Sequence, residues 1–445
     1  MTRPSLHRPT LLPGLPRIWR GVHTLQLGLD PAYAVLVDLP DPVVAHLLDL
    51  LDGTRPERAI VQAAADMGIS LTEATTLLDV LHEAGLVVPA QRLLPPTLDV
   101  AGRRLLSGEA TALALRPPRL SRRPPSRGLT ASPASLLRKR HQAKVVVAGR
   151  SRLAAGVAVA LAQAGVGHVH ADLSGTVTDE DRITAPLPAA AVGTPRVTAV
   201  PEAVEAAAPG TDIRAIRGGN ASLIVQFAPD KPVALLALAH LQRRRPYLPV
   251  AVREAITVIG PLVPATGRPC LNCLVLHRNQ RTSEALRLLP PFSTARPVPA
   301  PSRSDPDAMP PPGASASPVP ASARFSDEPP PPIPMQDRPV DSPPDARGPA
   351  QVVGSPPPPA VWPNGHTAMD DPYAVPNQRP GQEPLSVAGA WAAVGHVVAE
   401  ALMFLDGGEP ESLGAEIEIW SPGRVRRRSW AAHPHCACAA PRRRL

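Results

Sequence analysis

The chain has 445 residues, enough for two or three domains and a sizeable core. Hydrophobic residues make up 44 % and aromatics only 3 %, and 61 prolines exceed what a compact fold uses, so part of the chain is expected to stay unfolded. Four cysteines exclude a disulfide scaffold, and a net charge of +8 from scattered arginines with no interleaved aromatics argues against nucleic-acid binding.

Residues 1–15 hold prolines and no apolar run of signal-peptide length, so they are expected to form a disordered tail, and a cytoplasmic setting with reduced thiols follows. Residues 16–90 read as one unit. Val35 to Val37 form a short strand. Pro42 opens a helix behind the cap Asp41, with Val43, Val44, Leu47, Leu48 and Leu51 at helical spacing. A second helix runs from Pro56 to Met67. A third starts near Thr72 and stops at Gly85, and Leu86-Val87-Val88 returns as a strand. The pattern is that of a small winged-helix-like α+β unit. Its third helix carries Glu73, Asp79 and Glu83 and no Lys or Arg, which disfavours DNA reading and leaves peptide capture along a strand edge, or a structural cap.

Residues 91–141 are expected to be a linker, exposed where Arg116 to Arg127 is rich in Pro and Arg. From Lys144 the pattern changes. Val145 to Ala148 is a buried strand, Gly149-Arg150-Ser151-Arg152 a turn, Leu153 to Ala164 an Ala-rich helix, and His168 to Ala171 a second strand with Asp172 at its end. This is the first unit of a Rossmann-type sheet. The turn keeps the first glycine of G-x-G-x-x-G as Gly149, with Ser151 in the second place and Ala154 in the third; Arg152 adds charge where a helix N-terminus would meet phosphate. Asp172 lies at the distance of about 20 residues expected of a ribose-binding acid. A plain structural strand–helix–strand unit remains the alternative. Further on, "AAPGTDIRAI" reads as a helix end and a strand, Leu223 to Phe227 as a buried strand, and Pro232 to Arg243 as a helix. Strands around Val252 to Ile259 then approach a C-x-x-C.

Residues 290–384 contain runs such as Pro329 to Pro332 and Pro356 to Pro359, and are expected to be a disordered, polyproline-rich insert acting as a spacer. The first part of the nucleotide-type domain thus spans 142–289 and its second part 385–445. Leu385 to Leu405 is long enough to span a membrane but carries His396 and Glu400, so it reads as a buried helix. Glu416 to Ile419 and Arg426 to Trp430 read as strands leading to the last cysteines.

The four cysteines form two pairs, Cys270-x-x-Cys273 and Cys436-x-Cys438. Four thiolates suit a tetrahedral zinc in a closed, structural site. Two free thiol pairs, a disulfide between the pairs and a redox C-x-x-C are the alternatives, and His433 or His435 could replace a thiolate.

With these segments in place, 144–278 and 385–438 resemble the ThiF, MoeB and ubiquitin-activating (E1-like) superfamily. The resemblance implies a Rossmann-like E1-type sheet with helices on both faces, and ATP-dependent adenylation of a carboxylate on a small protein or peptide. Gly149 and Ser151 match its nucleotide turn and Asp172 its ribose acid. Arg196 in "GTPR" stands where the family has a phosphate-contacting lysine, and Asp230 where it has a Mg-coordinating aspartate. The family's arginine-finger segment is missing after Asp172, and Lys231 replaces an Asn. Residues 16–90 resemble the PqqD-like leader-peptide recognition domains. The pairing of the two is similar to azole-forming (TOMM) peptide biosynthesis, which implies a second role: a leader-peptide-binding scaffold for a separate cyclodehydratase. The superfamily also implies a paired-cysteine zinc site and, often, a homodimer. With all four cysteines on zinc, none remains to form a thioester.

Overall fold

The computed structural model describes residues 6–31, 34–115, 131–216, 220–227, 245–253, 255–265, 269, 270, 272–274, 276, 277, 280, 383–421, 424–436 and 438. All of them belong to one compact unit.

The tail expected at 1–15 is structured from residue 6 onward. Strand β1 (Pro9–Leu11) pairs antiparallel with β5 (Val87–Pro89), with Leu11 opposite Val87. Leu6, Leu11 and Leu12 are buried, Leu12 to 1 % exposure. Three leucines with cover available outweigh the prolines around them. Strands β2 (Arg17–Trp19), β3 (Thr24–Leu27) and β4 (Val35–Asp38) form an antiparallel meander with β4 at one edge. A 3₁₀ helix (Pro42–Leu50) follows, its first turn held by the Asp41 carboxylate accepting from the Val43 N–H. Helices α1 (Glu57–Asp66) and α2 (Leu71–Glu83) complete the unit. Ser70 and Glu73 close a reciprocal capping box on α2. Leu25, Leu27, Leu47, Ile60, Leu78 and Leu81 share one core.

The stretch expected to be a linker, 91–141, carries three helices among its described residues: α3 (Ala90–Leu93), α4 (Val100–Ala114) and α5 (Pro133–Gln142). Asp99 and Ser132 cap the latter two. Leu93, Leu106, Ala110 and Leu137 pack around Leu12, so this segment is a second small core rather than a connector. Arg116 to Arg127 lies outside the described residues.

The remaining strands are β6 (Lys144–Gly149), β7 (His168–Leu173), β8 (Leu223–Phe227), β9 (Tyr247–Arg253), β10 (Ile256–Ile259), β11 (Ala415–Ser421) and β12 (Arg424–Ser429). They form one seven-stranded sheet in the order β12-β11-β10-β9-β8-β6-β7. The β7, β6, β8 and β9 strands are mutually parallel, and β9 to β12 alternate in direction. Helices α6 (Ala154–Gln163), α7 (Asp181–Thr184), α8 (Arg196–Ala207) and α9 (Val387–Asp406) pack with it. Small side chains on α6 let its neighbours approach: at Gly156 a Cβ would lie 2.7 Å from the Thr184 hydroxyl. The strand expected within "GTDIRAI" is reduced to a single bridge between Asp212 and His168. There the Arg214 guanidinium donates to the Asp212 carboxylate at 2.9 and 2.6 Å. The helix expected at Pro232 to Arg243 lies outside the described residues.

Among the described residues, α9 alone is long and apolar enough to cross a membrane by length and composition. Its Ala393, Val397, Ala401 and Leu405 belong to the sheet's core. Its buried Glu400 accepts the backbone N–H groups of Glu411 and Ser412 at 3.3 and 2.7 Å, which steers the chain from helix into β11. At the other end of α9, Asp406 takes a two-pronged bond from the buried Arg140 of α5, 2.8 Å on each side, and Glu109 of α4 takes a third at 2.7 Å. This network fastens the segment after the Pro-rich stretch to the segment before the sheet.

Candidate functional site

Two groups of side chains bear on function. The first is the cysteine cluster. Cys270 precedes a helical turn that carries Cys273, whose N–H donates to the Cys270 carbonyl at 3.0 Å. Cys436 and Cys438 arrive from beyond β12, with the Cys436 N–H on the His433 carbonyl at 3.0 Å. The four sulfurs lie within 4.8 Å of one another. Individual separations are 3.8 Å for Cys270–Cys273, 3.5 Å for Cys270–Cys436 and 3.1 Å for Cys273–Cys438. A disulfide needs about 2.0 Å, so no pair is bonded. Four sulfurs on a tetrahedral ion at about 2.3 Å sit roughly 3.8 Å apart, and the cluster is close to that size. The donor set therefore fits a single metal ion, with no histidine required. His433 is buried but stacks edge-on against His277 at 4.6 Å between ring centroids.

The surroundings suit a closed site. Burial pushes the Cys270 thiol up to about 11. A cation is what would let such thiols ionise together. Asn272, between the first two cysteines, donates its amide to the Cys436 sulfur at 3.3 Å. This second-layer contact carries no sequence signal beyond its place in the C-x-x-C.

The second group surrounds the turn after β6. Gly149 has φ +101°, and a Cβ there would lie 1.9 Å from the Phe227 carbonyl oxygen, so only glycine fits. Ser151 and Arg152 are buried. The Ser151 hydroxyl accepts the Leu153 N–H at 3.1 Å and donates to the Glu383 carboxylate at 2.8 Å. The Arg152 N–H donates to the same Glu383 oxygen at 3.2 Å, and the Arg152 guanidinium donates to the Leu385 carbonyl at 2.5 Å. Burial pushes the Glu383 carboxyl above its ordinary value; the Ser151 and Arg152 donors and the charges of Arg152 and Arg196 oppose that in part.

Arg196, at the start of α8, is 2 % exposed. It donates to one oxygen of the fully buried Asp181 at 2.9 and 3.3 Å and to the Ser174 carbonyl at 3.3 Å. The same Asp181 oxygen accepts the Thr178 N–H and hydroxyl at 2.7 and 2.9 Å. Asp172 is exposed at the end of β7, in register with Ala148. Asp230 lies outside the described residues. The fold thus gathers Gly149, Ser151, Arg152 and Arg196 around one corner, and it adds two acids that sequence reasoning missed. Asp181 had a signal, because Thr178-x-x-Asp181 has capping-box spacing. Glu383 had none.

No protein-family model and no curated protein matches this chain. Solved structures do, and they define the class: an E1-type α/β fold. E. coli MccB with ATP is similar at a TM-score of 0.50 and 12 % identity, over 97 % of this chain and 99 % of that one. The microcin C7 biosynthetic enzyme MccB in complex with N-formylated MccA gives 0.50 and 13 % over the same shares. PaaA gives 0.50 and 11 %, over 94 % of this chain and 98 % of that one. At such identities the likeness is one of fold.

Proposed function

We propose that this chain binds a ribosomally made peptide through its N-terminal unit and holds it for a separate cyclodehydratase, with the E1-type sheet as a zinc-fastened scaffold. One observation carries the choice of scaffold over catalyst. Arg196, which stands in the place of a phosphate-contacting lysine, is buried and ion-paired to Asp181. A cation engaged in this way is not free to stabilise charge on a transferring phosphate. The PqqD-like reading of the N-terminal unit is supported by the edge position of β4, where Leu36 is 63 % exposed. An extended peptide adds to such an edge through its backbone and seats alternate side chains in pockets.

Zinc suits the cluster of Cys270, Cys273, Cys436 and Cys438. With four thiolates and no open position its contribution would be structural, holding the C-terminal segment to the sheet. Binding of a labelled leader peptide encoded beside this protein, followed by fluorescence anisotropy with the full chain, tests the scaffold reading. No saturable binding to any such peptide overturns it.

A second reading, ATP-dependent adenylation of a peptide or protein carboxylate, is favoured by Asp172, which is exposed at the sheet position expected of a ribose-binding acid. In that reading Asp230 would hold Mg. It requires peptide-dependent pyrophosphate exchange that Asp230→Ala abolishes, and is lost if the unaltered protein shows no exchange.

A further inference from the structure

The corner after β6 has the chemistry of an anion site. The Ser151 hydroxyl and the Arg152 N–H converge at the start of the ten-residue helix α6, whose dipole favours negative charge there. A second observation points to an anion independently. Arg152 is 5 % exposed, and its Nε is buried with no hydrogen-bond partner, so the guanidinium keeps a donor that its bond to the Leu385 carbonyl does not use. The group found there is a carboxylate of the chain itself. Glu383 places one oxygen on both the Ser151 hydroxyl and the Arg152 N–H. Two residues on, the Leu385 carbonyl takes the Arg152 guanidinium, and the Leu385 N–H folds back on the Glu383 carbonyl at 2.8 Å. Ser386 then caps α9 through the Gly389 N–H at 3.0 Å. The strap of residues 383–385 is therefore held at its carboxylate, at its carbonyl and at its exit into a helix.

We infer that Glu383 is a tethered anion that occupies this corner in place of a phosphate group, and that the 383–385 strap closes the corner to free anions until it is displaced. A carboxylate oxygen accepts the same two hydrogens that a phosphate oxygen would, and the tether keeps its local concentration far above that of any free competitor. The inference stands whether the chain is a scaffold or a catalyst, because it concerns occupancy of the corner and not turnover.

The test uses the full chain with Glu383→Ala and Glu383→Gln, titrated with pyrophosphate by calorimetry, and thermal unfolding in acetate. The unaltered protein is expected to show no saturable pyrophosphate binding in the millimolar range. Glu383→Ala is expected to bind at least about tenfold more tightly, the scale of one charge-assisted hydrogen bond. Acetate, a carboxylate supplied in trans, is expected to raise the melting temperature of Glu383→Ala and leave the unaltered protein unmoved. Adding Ser151→Ala to Glu383→Ala should remove the gain. Should Glu383→Ala fail to fold, Glu383→Gln keeps the side chain's shape without its charge and should still outbind the unaltered protein. Equal binding by all forms, no binding and no acetate effect in any variant, or a gain that survives Ser151→Ala each overturns the inference.

Discussion

The cysteine cluster and the corner after β6 hold residue types suited to function in equal measure, but they differ in what those residues touch. The four thiols converge on one another, and the polar contact that reaches them from outside, the Asn272 amide, is one that a metal-bound thiolate also accepts. At the corner, groups that would meet a phosphate already hold protein groups: Ser151 and the Arg152 N–H hold Glu383, and Arg196 holds Asp181. The comparison teaches that the right side chains in the right fold do not yet make a site. What decides is whether their hydrogen-bonding and charge demands are left for a ligand or met from within the chain.

The largest expected effect lies at the cysteines. Cys273→Ala should reduce bound metal from about one ion per chain to almost none, as loss of one of four ligands does in closed sites. Its stability loss should be the greatest of the series, though below the roughly 10–16 kcal/mol of structural zinc in isolated finger peptides, because strand pairing between β10 and β11 also holds the C-terminal segment. Elemental analysis together with hydrogen exchange in β11 checks both points. Full metal content in the variant would erase the contrast between the two regions. The next effect is at the corner. Arg196→Ala leaves the fully buried Asp181 uncompensated and should cost about 3–5 kcal/mol in denaturant unfolding. Peptide affinity should be unchanged, since the arginine serves the fold. A small stability change with a large affinity change would show that its pairing with Asp181 is not its main role.

These differences explain what the sequence made legible. The metal site could be read because its ligands are a scarce residue type in two local pairs, and local spacing with donor chemistry implies convergence. Gly149 could be read because a buried strand followed by glycine and a small-residue helix has few other solutions. Asp181 carried a local hint in its spacing from Thr178, but its place beside Asp179 and Glu180 obscured it, and its pairing with Arg196 comes only from tertiary packing. Glu383 reaches Ser151 across 232 positions, from the end of a proline-rich stretch with no periodicity, so nothing local announced it. The same averaging hid β1 and helices α3 to α5. Their leucines are spaced to meet partners far along the chain, and the flanking prolines and arginines dominated the composition of their segments.

Gly149→Ala comes third. The new methyl would meet the Phe227 carbonyl at 1.9 Å in a backbone conformation that favours glycine, and the combination of overpacking and a left-handed residue should cost about 3 kcal/mol. Urea unfolding measures it. A loss below about 1 kcal/mol would mean the β6 corner can open away from β8, and that its partners are less firmly set than the cysteine cluster.

The smallest effect is a pH dependence that reports directly on the seated strap. Burial holds the Glu383 carboxyl above its ordinary 4.5 despite the donors around it. An acid whose folded value lies above its unfolded one keeps its proton more tightly in the folded protein. Its contribution to stability is therefore fully present below the unfolded value and is lost as pH rises through the folded value. Glu383→Gln does not titrate and removes that dependence. The stability of the unaltered protein relative to Glu383→Gln should accordingly improve as pH falls from 7 toward 4.5, which paired urea titrations at the two ends of the range resolve. A flat difference would mean that the Ser151, Arg152 and Arg196 contacts offset the burial in full, and one that runs the other way would mean that they outweigh it, so that the corner holds Glu383 as an anion more firmly than water does. In both cases the corner would differ still more from the cysteine cluster, because the demands of its donors would be met by the strap's own charge.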